Sequence, residues 1–382
     1  MKVRRLATAM GALFYGLLAC QLHAGAAEKP EELTVAKVPP YSPHRVFVTD
    51  VSFASMTDAR VHVFDGDTKR FVGEIDAGFA PGFTISPDHK TSYVATTYFA
   101  RGSHGARTDV VEIIDNTTLD VTGEIVIPAK HGQTVPTPYL TNLSEDGSRL
   151  YVSNITPSTS VTVIDTAAKK VLGEIDTDGC VLAYPSGNDR FSALCESGKA
   201  LTVRLDATGK EASRKLSDAF IDVDHDPAFV NAVRDGNKYV FTTFHGNVRT
   251  ADFSGDAPVF GTSWSLLSDQ ERKAGWRPGG LQQLAVHATS DRLYAIMHQG
   301  GPETHKDPGK EVWVYDLGRH QRVQRIALRS PAGSIQVTRD DRPLLFAAFI
   351  GSTTLEVYDA KTGSYLRSVE NVGTTPTLLV TP

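Results

Sequence analysis

The chain has 382 residues, 41% of them hydrophobic and 22% charged, which is enough to build a large core and unlike a disordered or fibrous composition. Its formal net charge is −5 and no run of Lys and Arg follows the first few residues, so the clustered cations that nucleic-acid binding needs are missing. Thirty-two glycines and twenty prolines, spread along the chain, imply many tight turns and few long helices.

The first 26 residues read as a targeting signal. Lys2, Arg4 and Arg5 form a positive start, residues 6–19 are apolar but too short for a comfortable membrane span, and Ala24-Gly25-Ala26 offers small residues for cleavage. A cleaved export signal over 1–26 is therefore expected, with no transmembrane segment. A lipoprotein anchor at Cys20 is the lesser alternative, because Leu17-Leu18-Ala19-Cys20 matches a lipobox only loosely. Residues 27–44 are polar, contain prolines and show no periodicity, as in an extended arm.

From residue 45 the chain is built of hairpins. After an alternating strand at Arg45–Thr49, the sequence VHVFDGDTKRFVGEID at 61–76 returns as VTVIDTAAKKVLGEID at 161–176, with a third copy around Val111–Asp115 and Gly123–Ile125. The aspartates fall at 65, 115 and 165, a spacing of fifty residues, twice. More degenerate strand pairs carry markers at Asp206, Asp252, Asp316 and Asp359, making seven units. Polar turn blocks such as Ser86-Pro87-Asp88 and Ser144-Glu145-Asp146-Gly147 precede further strands. The predicted fold class is all-β: a single seven-bladed β-propeller over 45–382, closed by pairing of the early strand near Val46 with the late one at Thr377–Val380. The marker aspartates are read as turn acids that bond their own backbone.

Cys180 and Cys195 remain after cleavage, and an even pair in an exported chain is most simply a disulfide. They flank a strand–turn–strand pattern centred on Gly187-Asn188, which sets Cys180 opposite Cys195 and Tyr184 opposite Phe191. The single clear helix starts at Ser268 as N-cap, with Glu271 three residues on and Gly275 to stop it.

Four blocks carry a family resemblance. They are Thr96-Thr97-Tyr98 with Arg101 and Arg107 to Glu112, then Trp276-Arg277-Pro278-Gly279-Gly280 with Gln282, Gln283 and His287. Thr304-His305-Lys306 and the Cys180/Cys195 pair complete the set, alongside Ala251–Asp256. Together they resemble the heavy (α) subunit of quinoprotein amine dehydrogenases, the aromatic (aralkyl) branch more than the methylamine branch. The resemblance implies a periplasmic α2β2 enzyme that oxidises primary amines to aldehyde and ammonia. It also implies that tryptophan tryptophylquinone and the catalytic base reside on a small disulfide-rich light chain, and that a cupredoxin or c-type cytochrome accepts the electrons. Phe53 then matches the substrate-channel phenylalanine, and Arg101, Arg107, Trp276, Arg277 and His305 are candidates for partner contact. Between Arg101 and Arg107 the chain departs from the pattern, with His104, Ala106 and Gly102-Ser103 in place of more basic or bulkier residues.

No catalytic residue is expected on this chain itself. Its twelve histidines show no metal-ligand spacing, so no metal and no bound cofactor are expected, and neither a nucleophile elbow nor a phosphate loop is present. Taken alone, Phe53 is more simply a core residue, the arginines are solvated loop residues bonding a carbonyl or a nearby Asp, and Trp276 caps the helix's own apolar face. Two other classes stay open: a stand-alone propeller that binds a protein or ligand, and a lactonase-type propeller hydrolase, which would need a metal in its central channel.

Overall fold

The computed structural model describes residues 37–382. The signal expected over 1–26, the anchor alternative at Cys20 and residues 27–36 of the arm lie outside them.

The described residues form antiparallel strands almost throughout, because β-branched and aromatic residues alternate with polar ones between turn residues. Each of the seven marker aspartates sits in the turn of a hairpin. Each accepts a hydrogen bond from a backbone N–H two or three residues on: Asp67 and Thr68 to Asp65, Thr117 to Asp115, Ala168 to Asp165, Thr208 to Asp206, Ser254 to Asp252, Arg319 to Asp316, Lys361 and Thr362 to Asp359. Short acid side chains that satisfy the turn locally leave the flanking strands free to pair.

Among the described residues the hairpins assemble into six hydrogen-bonded sheets where the sequence suggests seven units. The difference lies in one strand. Phe71–Ile85 pairs through its first half with Ala59–Asp65 and through its second half with Thr91–Phe99, so the first two repeats share a seven-stranded sheet. Between the halves Gly78 and Ala80 take φ of 58° and 52°, which turns the strand without ending it. Arg45–Asp50 pairs on one side with Ala59–Asp65 and on the other with Pro376–Val380, so the two ends of the described chain share a sheet.

The core lies between neighbouring sheets. Val46, Phe346, Leu355 and Leu379 form one such layer, and Tyr139, Tyr184, Tyr239 and Phe241 another. In the second layer, Tyr184 donates its hydroxyl proton to the Val230 carbonyl at 2.6 Å and Tyr139 to that of Ala232 at 2.9 Å.

Cys180 and Cys195 are directly opposed and joined by a disulfide. Further along, the expected register fails by one residue. Tyr184 faces Ser192, and Phe191 faces Pro185, because a bulge follows Val181, where Leu182 adopts a φ of 66°. The turn is correspondingly longer: Ser186 pairs with Arg190, leaving three loop residues, 187–189, in place of the expected two-residue turn. The helix spans Asp269–Lys273, with the capping box at Ser268 and Glu271 formed in both directions. It buries none of its own residues, and the Glu271–Arg322 ion pair at 2.6 Å ties it to the strand Gln321–Ala332.

Candidate functional site

In an antiparallel four-strand meander, the first and third turns lie at one end of the sheet. The middle connection and the link to the next sheet lie at the other. The marker aspartates occupy the first end, and the residues singled out by sequence gather at the second. Phe53 opens a 3-10 turn, Phe53–Asp58, between Arg45–Asp50 and Ala59–Asp65. Arg101 lies in the connection between Thr91–Phe99 and Arg107–Asp115, and Arg107 begins the latter strand. His305 lies between Arg292–Gln299 and Gly309–Asp316, and Trp276 and Arg277 pair with Gln299 and His298 at the end of that same strand.

Phe53 is 42% exposed, as is Met56, and no residue of their turn is buried. Val135, Ile155, Val223 and Val230, in connections at the same end, are exposed too. Scattered apolar residues need no explanation on a protein surface, but Phe53 and Met56 stand exposed together on one turn, at the end of the sheets where these other four also lie.

The Phe53 turn is held from beneath by Asp50, a residue that sequence reasoning passed over. Asp50 is only 3% exposed. Its Oδ1 accepts from the N–H groups of Ser52 at 2.9 Å and Thr375 at 2.8 Å, and its Oδ2 from that of Thr374 at 2.6 Å. Thr375 Oγ1 donates to Asp50 Oδ1 at 2.9 Å and accepts from the Phe53 N–H at 3.2 Å. Burial works against an ionised Asp50, yet His62 and these N–H groups outweigh it and hold the carboxyl well below the ordinary carboxylate range. A signal was available in the pairing of an Asp at a strand end with Gly373-Thr374-Thr375, but the partners are more than three hundred residues apart in sequence.

The other candidates divide. Arg101 is exposed. Arg107 is engaged within the chain: its Nε and Nη2 donate to the two carboxylate oxygens of Asp109 at 2.7 and 2.6 Å, and Nη2 donates to the His131 carbonyl at 2.9 Å. His131 itself is buried with neither ring nitrogen bonded, and burial lowers its pKa to about 4. Trp276 lies 4.9 Å from Trp313, and the Arg325 guanidinium covers both rings. Arg277 Nη1 donates to the Gly301 carbonyl. The His305 ring stacks on Phe244 at 4.0 Å and meets Phe229 edge-on. Its carbonyl accepts from Gly280, a residue at φ 112° where a Cβ would lie 2.4 Å from the Gly333 oxygen, so only glycine fits that turn.

Among the described residues no group of three or more His, Cys, Asp or Glu is placed to hold a metal ion. No helix among them is long and apolar enough to cross a membrane.

Residues 42–382 match the family model described as methylamine dehydrogenase heavy chain. The chain belongs to that family. The methylamine dehydrogenase heavy chain of Methylorubrum extorquens is 32% identical over 370 residues, covering 95% of this chain and 88% of its own length. That of Paracoccus versutus is 32% identical, covering 94% and 83%, and that of Methylophilus methylotrophus 28%, covering 92% and 87%. Among solved structures, a β-propeller domain from Myceliophteria thermophila aligns with a TM-score of 0.52 at 10% identity, over 83% of this chain and 90% of that one. The hydrazine synthase of Kuenenia stuttgartiensis aligns at 0.54 and 16%, over 90% and 99%. At such identities the likeness concerns the fold, an all-β propeller. For a heavy-chain family member, the gathering of Phe53, Arg101, Trp276, Arg277 and His305 at one end marks the face to which function is assigned below.

Proposed function

We propose that this chain is the heavy subunit of a periplasmic amine dehydrogenase. A small disulfide-rich light chain bearing tryptophan tryptophylquinone docks on the end of the sheets that carries Phe53. The observation that carries the reading is the family match over 42–382. The exposed apolar face around Phe53 and Met56 supports it, since a subunit that presents a cofactor to substrate needs a dry, closely fitted contact. The propeller is counted as seven blades, the seven-stranded sheet being two blades that share Phe71–Ile85.

In the α2β2 assembly the light chain supplies the quinone and the catalytic base. Primary amines, of the aromatic or aralkyl kind, are oxidised to aldehyde and ammonia, and a cupredoxin or c-type cytochrome takes the electrons. The heavy chain contributes a rigid platform and part of the channel wall. Phe53 faces the substrate, while Arg101, Trp276, Arg277 and His305 border the light chain. Arg107 acts one step back, through Asp109 and the 128–140 connection. The 1–26 signal directs export.

Co-purification tests the assembly. The native complex is expected to contain a short cysteine-rich chain with quinone absorbance, and a heavy chain isolated without one overturns the reading. Within the complex, Phe53→Ala is expected to change the preference between small and bulky amines. Unchanged selectivity removes Phe53 from the channel.

A further inference from the structure

We propose that Asp50 is a positioning residue for amine selectivity, which it sets by fixing Phe53 through the C-terminal segment Gly373-Thr374-Thr375. The inference rests on the reading that Phe53 faces the substrate, and adds which residues decide where that ring stands.

The turn that carries Phe53 runs beside the strand Phe71–Ile85 without burying a side chain of its own. None of its six residues is buried, its N-cap makes no side-chain hydrogen bond, and Ser55 interrupts it with non-helical angles. Ser52, just before it, sits at φ 47°, a left-handed conformation that a non-glycine residue adopts only when its surroundings impose it. What imposes it here is the Asp50 carboxylate, which accepts from the Ser52 N–H. The second restraint is the Thr375 hydroxyl, the acceptor for the Phe53 N–H and itself a donor to Asp50. Both restraints on the start of the turn therefore run through one carboxylate.

That carboxylate in turn orders the other side. The N–H groups of Thr374 and Thr375 point at it, and the Thr374 hydroxyl lies 3.2 Å from Oδ2. Gly373 approaches so closely that a Cβ would fall 2.7 Å from Asp50 Oδ2, at a φ of 127°. A group that accepts several N–H donors in a buried place is rigid, because moving it strands every donor at once. The pairing with Pro376–Val380 slips at this point: Thr49 faces Leu378 and Asp50 faces Pro376, so the end strand carries one extra residue, Thr377, just beyond the two threonines that bond Asp50. His62 stands 3.8 Å from Oδ2 and bridges toward Glu74, closing the far side.

Thr375 makes the proposal testable without risking the fold, because its hydroxyl is the one link that touches both Asp50 and the Phe53 backbone. Thr375→Val keeps the shape and removes that link, and Thr375→Ser restores a hydroxyl. Purified holo-complexes carrying Thr375→Val, Thr375→Ser, Asp50→Asn and Phe53→Ala are compared with the parent on methylamine and 2-phenylethylamine, with kcat and KM measured separately. Hydrogen exchange over residues 52–58 is followed in parallel. Thr375→Val and Asp50→Asn are expected to shift the ratio of kcat/KM for the two amines by about tenfold, mostly through KM for the bulky one, with faster exchange at 52–58. Thr375→Ser is expected to return both toward the parent. If Phe53→Ala shifts the ratio while Thr375→Val leaves both ratio and exchange unchanged, the positioning role is overturned and the channel reading stands. If Phe53→Ala itself shifts nothing, the channel reading falls and this proposal falls with it.

Discussion

The Arg107 guanidinium holds the fully buried Asp109 carboxylate through two parallel hydrogen bonds, at 2.7 and 2.6 Å, and reaches on to the His131 carbonyl. Asp109 completes its set with the Thr97 hydroxyl and the His131 N–H, so one ion pair fastens the 128–140 connection to the strand Arg107–Asp115. Removing the cation strands a buried charge. Arg107→Ala is expected to lower stability by about 3–5 kcal/mol, more than a surface arginine would. Urea denaturation of the isolated heavy chain measures it, and a loss under about 1 kcal/mol contradicts the assignment.

His131 gives the chain an acid-sensitive point. Its ring is buried and neutral, and burial lowers its pKa from 6.5 to about 4, the nearby Asp109 opposing and Arg107 reinforcing the shift. An unfolded chain takes up the proton near pH 6.5, whereas the folded one resists until about pH 4. The stabilising contribution is thus complete above pH 6.5 and is lost as pH falls through the window down to 4, by about 3 kcal/mol in total. His131→Gln is expected to flatten the fall in stability between those limits. An identical pH profile for parent and variant rules the explanation out.

The Cys180–Cys195 disulfide closes a 15-residue separation within one hairpin. Replacing both cysteines by Ala is expected to cost about 3 kcal/mol, chiefly by releasing the unfolded chain. A lower urea midpoint with a steeper slope, as the freed unfolded chain exposes more surface, is the expected signature. The bulge at Leu182 should survive, since the hydrogen bonds of both strands hold it.

Pro376–Val380 is the partner of Arg45–Asp50, and Gln282 secures it from the neighbouring sheet by bonding the Leu379 N–H and carbonyl at 2.8 and 2.9 Å. Deleting residues 376–382 exposes the edge of Arg45–Asp50. Aggregation, or a melting temperature well below the parent's, is the expected outcome. A soluble truncated chain with unchanged melting would show that the end strands do not close the fold.

Much of this was legible from local pattern. The marker aspartates announce their turns because an Asx turn is satisfied within four residues, and Ser268 with Glu271 announces its helix for the same reason. The Tyr184 register was not legible, because a one-residue bulge at Leu182 leaves no mark in the alternation. For Arg107 the sequence left open both partner contact and a bond to a carbonyl or nearby Asp, and the structure shows it bonded to Asp109 and the His131 carbonyl. Phe53 could be noticed by resemblance. Asp50 could not, since its importance comes from Thr374 and Thr375, at the other end of the chain.

The sequence by itself determined the hairpins, their fifty-residue period, the paired cysteines and the capped helix, all interactions between near neighbours along the chain. Only the tertiary structure decided that Phe71–Ile85 serves two repeats, that Arg107 faces inward, and that Asp50 binds the last strand to the Phe53 turn. Those outcomes depend on which groups are left without a partner once the sheets are assembled. A buried carboxylate or a bent strand finds its partner by proximity in space, which local pattern does not encode.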